Sequence, residues 1–369
     1  MSTKPAHRTF LFAAGGTGGH LFPALAVAEE IRRIDETARC VFVGTEKKIE
    51  ARVVPMHGYE FRTIWISGFH RRLTVENALF PLKVVRSLWQ SFALLRSLKP
   101  DVVVGTGGYV CGPVLFAASV LGIPVVIHES NSYPGVTTRM LAGRASEVLT
   151  TFDVTRQWLP AGVSPIVIGN PTRRELETVS RKEASASFGL DPGKKTLLVF
   201  GGSLGAQSIN EALDACVEKL SEEDGIQVIW QTGSYPGAEH FLSHASGMVH
   251  VSAFIDGMSA AYAASDLAVC RSGATTLAEL TRLGKPAILV PYPHAAANHQ
   301  ELNARALVEA GAARMIEDAK VGAELRAAVT ALVNDAEGME TMRRKSRALG
   351  KPDAGRMIAE RIMHLAGKH

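Results

Sequence analysis

Short apolar runs rich in Val, Ile and Phe alternate along the chain with longer segments of helical periodicity. Seven runs lie in the first half: TFLFAA, CVFVG, RTIWI, DVVVG, PVVIH, EVLTTF and PIVIG. Five more follow residue 195: TLLVFGG, IQVIWQ, VHVSAF, DLAVCRS and PAILVPY. Runs of this length and apolarity are typical of strands buried on both faces of a parallel sheet, with the intervening helices as crossovers. The alternation therefore predicts an α/β chain.

The two series of runs also predict two domains. A chain of 369 residues exceeds the roughly 250–300 residues at which a single hydrophobic core stops growing. Each series opens on a strand that is followed by a glycine loop, which predicts two doubly wound domains of similar architecture. We expect the domains to span 1–165 and 166–350, with a charged helical segment over 351–369 that can pack back across them. Ligands of such sheets bind at the carboxyl ends of the strands.

Composition narrows the class of protein. The formal charge of +4 is too small to argue for nucleic acid as a partner. The four cysteines form no CxxC pair, which favours reduced, partly buried thiols over a disulfide framework or a zinc site. No apolar run reaches the ~18–20 residues of a transmembrane helix, and the N-terminus lacks a signal-peptide cleavage pattern. We expect a soluble chain, or one that rests on a membrane surface.

Three glycine loops follow apolar runs: GGTGGH at 15–20, GTGGY at 105–109 and GGSLGA at 201–206. A glycine-rich turn from a strand into a helix lets backbone N–H groups approach phosphate. None of the loops has the lysine of a P-loop. The first loop begins a GxGxxG pattern whose third glycine position is Leu21, although the acidic Glu46 follows the second run, so dinucleotide binding is weakened rather than excluded. Glycines after strands can also serve only as tight turns.

The helix after the first loop is predicted to run from Pro23 to Arg33, since proline suits a first helical turn. His20 would then end the loop at the sheet edge. Histidine has an ordinary pKa of about 6.5 and can accept a proton.

Eight motifs together point to a family. GGTGGHLFPALAVAEEI, VVGTGGYVCGP, HESNSYPG, IGNPTR, GGSLGA, FIDGM, CRSGATTLAEL and NHQELNA occur in an order and spacing that resemble the bacterial MurG glycosyltransferases. The resemblance covers about residues 8–350. It implies a GT-B fold, in which two Rossmann-like doubly wound parallel-sheet domains face each other across a cleft.

The resemblance also implies the reaction. MurG enzymes transfer N-acetylglucosamine from UDP-N-acetylglucosamine to the 4-hydroxyl of N-acetylmuramyl-pentapeptide on a polyprenyl diphosphate, with inversion, which converts lipid I to lipid II for peptidoglycan. Other proteins of the same fold remain as alternatives. A diacylglycerol glycosyltransferase would keep the donor motifs and change the acceptor pocket. A UDP-sugar 2-epimerase would need no lipid acceptor, and a non-catalytic sugar-nucleotide-binding subunit would need neither His20 nor Glu129.

Donor-binding positions follow from the same resemblance. It implies that UDP-N-acetylglucosamine contacts Thr17, Gly18, Gly19, Asn131, Arg173, Ser203, Ile255, Ala274, Thr275, Glu279, Gln300 and Asn303. The Glu279 carboxylate can accept hydrogen bonds from both ribose hydroxyls, or it can merely complement a helix dipole. Ser203 can donate to a phosphate or cap the next helix. Ile255 is expected to read uracil through its backbone, and it is equally a plain core residue.

Acceptor and catalytic positions are implied in the same way. The acceptor diphosphate is expected at Gly16, Gly18, Gly107, Gly108 and Tyr109. A sugar hydroxyl needs a general base, and two residues compete for that role: His20, which can instead hydrogen-bond a phosphate or sugar, and Glu129 at the end of PVVIHE.

The chain contains no DxD motif. We therefore expect no metal site and no cofactor, with any effect of divalent ions indirect. The leaving UDP would be stabilised by the backbone amides of GGSLGA.

Residues 70–99 carry apolar side chains at helical spacing flanked by basic residues, including Lys83 and Arg86. Such a face can rest on anionic headgroups, or it can pack on its own sheet. The expected membrane contacts are Leu79, Phe80, Arg86 and Trp89. The predicted location is the cytoplasmic face of the bacterial inner membrane, with the two substrates, the anionic membrane surface and proteins of cell-wall synthesis and division as partners.

Overall fold

The structure is a computed structural model that describes residues 7–68, 79–172, 174–202 and 204–367. The chain divides into two compact units. The first comprises residues up to Thr172 together with those from Pro352 onward, and the second comprises Arg173–Lys351. The division falls seven residues later than the expected boundary at 165/166, because residues 166–167 form a strand that pairs within the first sheet.

The first unit is built on a seven-stranded sheet in which every strand pair is parallel. Its strands are β1 Thr9–Ala14, β2 Arg39–Gly44, β3 Glu60–Thr63, β4 Val102–Gly107, β5 Val125–Glu129, β6 Glu147–Thr150 and β7 Ile166–Val167. The order β3-β2-β1-β4-β5-β6-β7 runs outward in both directions from β1 and β4. The switch point of this sheet therefore lies between these two strands.

Helices cover both faces of the first sheet. They are α1 Gly18–Ile34, α2 Ile49–Met56, α3 Phe80–Leu98, α4 Cys111–Val120, α5 Val136–Leu141 and, from the end of the chain, α13 Ala354–Ala366. All six residues of β1 are buried. Ile358 and Ile362 of α13 are completely buried in the same cluster as Phe10 and Phe12 of β1. The end of the chain is thus part of the core of the first unit.

The second unit repeats this architecture with six parallel strands. Its strands are β8 Thr196–Phe200, β9 Gln227–Gln231, β10 Val249–Ser252, β11 Leu267–Cys270, β12 Ala287–Leu289 and β13 Arg314–Met315. Its helices are α6 Arg181–Ser187, α7 Gln207–Asp214, α8 Met258–Ala264, α9 Ala274–Leu283, α10 His299–Glu309, α11 Val321–Val333 and α12 Ala336–Leu349. The order β10-β9-β8-β11-β12-β13 places the switch point between β8 and β11. The prediction of two doubly wound parallel-sheet α/β units is confirmed.

Three details differ from the sequence-based predictions. The run RTIWI, residues 62–66, was expected to be a strand, whereas β3 begins at Glu60 and ends at Thr63. The two-residue strand β13 was not predicted, since it has no apolar run. Helix α1 begins at Gly18 rather than Pro23, because Thr17 takes the extended conformation of an N-cap. Pro23 lies inside the helix, where it cannot donate to the Gly19 carbonyl.

The four cysteines are free and buried. Across the described residues, no helix combines the length and apolar character needed to cross a bilayer.

Candidate functional site

The glycine loops lie at the switch points of the two sheets. The first loop follows β1 and the second begins in the last residues of β4, the two central strands of the first sheet, and the third follows β8 of the second sheet. The motif CRSGATTLAEL begins in β11, the neighbour of β8. Open α/β sheets bind ligands where the strand order reverses. The sequence motifs therefore mark a candidate site in each unit.

The first and second glycine loops touch through their backbones. A Cβ on Gly108 would lie 2.2 Å from the Gly15 carbonyl oxygen, and Gly108 has φ +87°. A Cβ on Gly107 would lie 2.3 Å from Nδ1 of His20. Side chains are thus excluded at both positions, which explains these glycines without reference to a ligand.

Cys111 joins the same two loops. Its Sγ lies 3.1 Å from the carbonyl oxygens of Ala13 and Gly107 and accepts from the Gly107 N–H at 3.3 Å. Burial raises the pKa of the Cys111 thiol to about 12. The group therefore remains a protonated thiol that can donate to these carbonyls at neutral pH.

His20 lies in the first turn of α1 and is half-buried. Its Nδ1 is 3.2 Å from the carbonyl oxygen of Thr106, and the Thr106 hydroxyl donates to the His20 carbonyl at 2.7 Å. Because a carbonyl oxygen can only accept, the proton of the neutral ring belongs on Nδ1. The lone pair is then on Nε2, which is the arrangement that a general base requires.

Glu129 is buried and surrounded by donors. One oxygen accepts from the Asn131 N–H at 3.1 Å and from its side-chain amide at 3.4 Å. The other accepts from the Gly135 N–H at 2.9 Å and the Thr138 hydroxyl at 2.8 Å. Both carboxylate oxygens are thus occupied by donors from residues 131–138. This geometry suits fixing the 130–135 loop and the start of α5 better than proton transfer.

A second buried carboxylate, Glu50, was missed by the sequence analysis. It is completely buried and accepts from the Gly16 N–H at 3.1 Å and from the N–H and hydroxyl of Thr45 at 3.1 and 2.9 Å. Glu46, which the sequence analysis considered, is exposed. Because the Gly16 N–H donates to Glu50, this amide, which was expected to bind the acceptor diphosphate, already has an acceptor. The amides of Gly18 and Gly19 in the first turn of α1 have no acceptor within the helix and remain suited to an anion.

In the second unit the glycine loop packs against the next loop along the sheet. A Cβ on Gly205, which has φ +80°, would lie 2.1 Å from the Thr232 carbonyl oxygen, and a Cβ on Gly233 would lie 2.2 Å from the Gly205 nitrogen. Helix α7 begins after Ala206, which serves as its N-cap. Two predicted donor-binding residues, Ser203 and Arg173, lie outside the described residues.

Gln231, at the carboxyl end of β9, links two predicted donor motifs. Its amide nitrogen donates to the Gly202 carbonyl at 3.0 Å, and its amide oxygen accepts from the Ile255 N–H at 2.9 Å. The Ile255 side chain is buried. With the Ile255 N–H engaged, the backbone group that can read a base at this position is its carbonyl oxygen.

Glu279 lies in the middle of α9 and is 4% exposed. The hydroxyl of Tyr262, itself buried, donates to Glu279 Oε2 at 3.0 Å. Near the start of the same helix, Ala274 is buried, and the buried Thr275 Oγ1 has no partner among the described residues. Tyr262 was missed by the sequence analysis, and its position shows how the Glu279 carboxylate is oriented.

The two amides of NHQELNA that were predicted to bind the sugar, Gln300 and Asn303, differ in exposure. Gln300 is half-buried, and its side-chain oxygen accepts from the Tyr292 N–H at 3.0 Å. Asn303 is completely buried and donates to the Ser272 carbonyl at 3.3 Å. The predicted contact of Asn303 with the sugar does not suit this burial, since the side chain holds the 271–273 loop through the Ser272 carbonyl.

Helix α3 presents an apolar face to solvent, formed by Leu79, Leu82, Val85 and Trp89, which are 43–70% exposed. Phe80 is half-buried and Arg86 is exposed. Lys83, expected among the basic residues of this surface, is instead buried. The part of the 70–99 stretch up to residue 78 lies outside the described residues.

No cluster of three or more His, Cys, Asp or Glu side chains within the described ranges could hold a metal ion.

Comparison with known proteins gives full-length matches. Residues 10–150 match the glycosyltransferase family 28 N-terminal domain, and residues 196–358 match the family 28 C-terminal domain. The chain is 41% identical over 371 aligned positions to the UDP-N-acetylglucosamine--N-acetylmuramyl-(pentapeptide) pyrophosphoryl-undecaprenol N-acetylglucosamine transferase of Salinibacter ruber, covering 100% of this chain and 99% of the relative. The enzyme of the same name from Desulforudis audaxviator is 44% identical, with 97% and 98% covered.

Solved structures of other proteins share the fold of this chain. MurG of Acinetobacter baumannii superposes with a TM-score of 0.77 at 29% identity, covering 97% of this chain and 100% of that one. The UDP-GlcNAc 2-epimerase of Neisseria meningitidis, bound to UDP-GlcNAc, has a TM-score of 0.67 at 15% identity, with 96% and 100% covered. At that identity the epimerase shows a shared fold and nothing more.

Proposed function

The chain belongs to the MurG family within glycosyltransferase family 28, and we propose that it transfers N-acetylglucosamine from UDP-N-acetylglucosamine to the 4-hydroxyl of undecaprenyl-diphospho-N-acetylmuramyl-pentapeptide. The product is lipid II, a precursor of peptidoglycan. The observation that carries the proposal is the location of the glycine loops, which lie beside the switch points of both sheets. A reaction between two diphosphate-bearing substrates needs anion-binding backbone in both units.

The second unit binds the donor in this proposal. The diphosphate lies at the loop 201–206 and the start of α7, the ribose hydroxyls donate to Glu279, and uracil meets the backbone of Ile255. Gln300 contacts the sugar, whereas Asn303 holds the 271–273 loop in place. The contacts proposed for Ser203, Arg173, Thr17 and Asn131 rest on the family resemblance alone.

The first unit binds the acceptor and supplies the base. Nε2 of His20 takes the proton of the 4-hydroxyl as its oxygen attacks C1 of N-acetylglucosamine. The bond between C1 and the UDP oxygen breaks with inversion, and backbone amides stabilise the negative charge on UDP. Glu129, held by four donors, positions the 130–135 loop and the start of α5 rather than accepting the proton.

We also propose that the protein works at the cytoplasmic face of the bacterial inner membrane as a peripheral protein. Its acceptor is anchored in the bilayer by a polyprenyl tail. The exposed apolar face of α3, with Arg86 and Arg96 exposed on the same helix, suits contact with anionic headgroups. Flotation with anionic vesicles should recover the wild type, and a Leu82→Glu/Trp89→Glu variant should remain at the bottom of the gradient.

The function is tested by incubating the protein with labelled UDP-N-acetylglucosamine and a lipid I analogue, with and without EDTA. Label should enter the lipid fraction only when the acceptor is present, and EDTA should not abolish transfer. Conversion of UDP-N-acetylglucosamine to its 2-epimer without acceptor would overturn the proposal in favour of an epimerase. Transfer to diacylglycerol in place of the lipid I analogue would overturn the acceptor assignment.

A further inference from the structure

We propose that Lys83 binds the diphosphate oxygens of the lipid-linked acceptor. This inference rests on the proposed function and adds a residue to its acceptor site. It also corrects the expectation that Lys83 belongs to the membrane-facing basic residues.

Lys83 is a buried cation that has no carboxylate partner among the described residues. The residue is 8% exposed, and its Nζ donates to the hydroxyl of Ser67 at 2.9 Å. The centroid of the Trp65 ring is 5.8 Å away. Within the described part of the chain, no carboxylate forms an ion pair with this ammonium. An ammonium has three donors, and burying one without an anionic partner is costly.

The position of Lys83 points to an anion near the first glycine loop. Ser67 precedes Gly68, whose Cβ, if present, would lie 3.4 Å from the Tyr109 ring. A Cβ on Gly16 would lie 3.2 Å from the same ring. The aromatic side chain of the second glycine loop thus bridges from the first loop to the segment that holds Lys83. Ser67, the hydrogen-bond partner of the ammonium, is therefore joined through Gly68 and Tyr109 to the first glycine loop.

The other side of α3 fits the tail of the same ligand. Leu82 and Val85 lie one position before and two positions after Lys83, and their side chains are 57% and 66% exposed. An inward cation and an outward apolar surface on one helix match a molecule with an anionic diphosphate and an apolar chain. The phosphate of a phospholipid is also an anion, but it would bind an exposed cation such as Arg86 more readily than the buried Lys83.

Arg86 supplies a matched comparison on the same helix. Its guanidinium carbon is 5.7 Å from the Trp65 ring centroid, nearly the distance found for Lys83, yet Arg86 is exposed. If Lys83 binds membrane headgroups, its substitution should lower activity only when a membrane is present, as expected for Arg86. If Lys83 binds the acceptor diphosphate, its substitution should lower activity in detergent as well.

The test compares Lys83→Met, Lys83→Arg and Arg86→Met in the full-length protein. A short-chain lipid I analogue in neutral detergent is the acceptor, and binding of a short-chain prenyl diphosphate is measured separately by calorimetry. Loss of one charge-assisted contact should raise the KM for acceptor and the Kd for prenyl diphosphate of Lys83→Met by about 10-fold or more. The KM for UDP-N-acetylglucosamine should change less than about twofold, since the donor bonds are intact. Lys83→Arg should recover most of the affinity, and Arg86→Met should match the wild type in detergent.

Three results would overturn the inference. Unchanged acceptor KM and prenyl diphosphate binding in Lys83→Met would show that the ammonium does not touch the anion. Equal rises in both KM values with a lowered Tm would show a structural role. A defect seen only on anionic vesicles, as expected for Arg86→Met, would assign Lys83 to phospholipid headgroups. Absence of transfer by the wild type would refute the proposed function instead, and the calorimetric measurement would still test Lys83.

Discussion

The two units share an architecture but support their loops differently. In the first unit, ionisable side chains lie directly against the glycine loops: His20 against Gly107, and the buried Glu50 on the Gly16 amide. In the second unit, the glycine loop rests on backbone at Thr232, and the neighbouring motif is joined to it by the neutral amide of Gln231.

The difference follows the chemistry assigned to each unit. Proton transfer needs a titratable group whose tautomer is fixed, and the Thr106 carbonyl does that for His20. Recognition of a nucleotide needs a surface of fixed shape, with one carboxylate for the ribose. In the proposed function the same sheet topology thus serves a reactive site and a recognition site, and five substitutions test the distinction.

The largest effect is expected for His20→Ala. Loss of the general base should lower kcat by ~10²- to 10⁴-fold, while calorimetric UDP affinity and Tm stay near wild type. His20→Asn is the matched control, because its amide can donate to the Thr106 carbonyl without acting as a base. A kcat for His20→Ala above a tenth of the wild-type value would show that His20 is not the general base. The titratable group at the first glycine loop would then no longer distinguish the two units by function.

Glu279→Gln should affect the donor side only. Replacing the carboxyl group proposed to accept from the ribose hydroxyls by an amide should weaken UDP binding by about 10- to 100-fold, measured by calorimetry. The acceptor KM should remain unchanged. A loss of acceptor affinity instead would contradict the assignment of the nucleotide to the second unit.

Glycine substitutions in the two units form a parallel pair. Gly205→Ala places a methyl group against the Thr232 carbonyl and Gly108→Ala places one against the Gly15 carbonyl, so each loop must shift. We expect about a 10-fold rise in donor KM for the former and in acceptor KM for the latter, since a misplaced amide loses a hydrogen bond to its anion.

Gly202→Ala is the control for these variants, because it has φ +87° but open space around its Cβ position. It should show only the conformational strain of about 1–3 kcal/mol, read as a lower Tm. If Gly202→Ala and Gly205→Ala are equally impaired, the backbone contact is not what holds the donor loop.

The smallest effect is expected for Tyr262→Phe. Removing one hydroxyl donor from Glu279 Oε2 should weaken UDP binding by about 3- to 10-fold without a change in kcat, because Tyr262 acts through the carboxylate. In the Glu279→Gln background the same substitution should have less effect. Fully additive losses in the double variant would show that the tyrosine acts independently.

The strands were predictable because a buried parallel strand is visible as an apolar run. Each of the predicted runs contains or overlaps a strand, and the fold class is confirmed. The start of α1 was not predictable from Pro23, because the conformation of Thr17 determines where the helix begins. Strand β13 pairs only at Arg314 and Met315 on the sheet edge, which is too short to leave a pattern.

The motif residues at the sheet edges were predictable, but the residues that hold them were not. Glu50 accepts a hydrogen bond from the N–H of a glycine 34 positions earlier. Gln231 donates to a carbonyl 29 positions earlier, and Tyr262 donates to a carboxylate 17 positions later. Lys83 has helical spacing typical of a surface residue, yet it turns inward to Ser67. Such partners are set by tertiary packing, and no local pattern in the sequence marks them.

Helix α13 belongs to the first unit, although it is synthesised after the whole of the second unit. Ile358 and Ile362 fill the interior beside β1, so the amino-terminal half cannot complete its core until translation has passed through the whole carboxyl-terminal half. A stop codon shortly before residue 354 would therefore damage the half of the molecule that was synthesised first. Recombinant fragments ending near Thr172 would expose the apolar surface that α13 covers in the full chain. They should precipitate unless a separate α13 peptide is supplied.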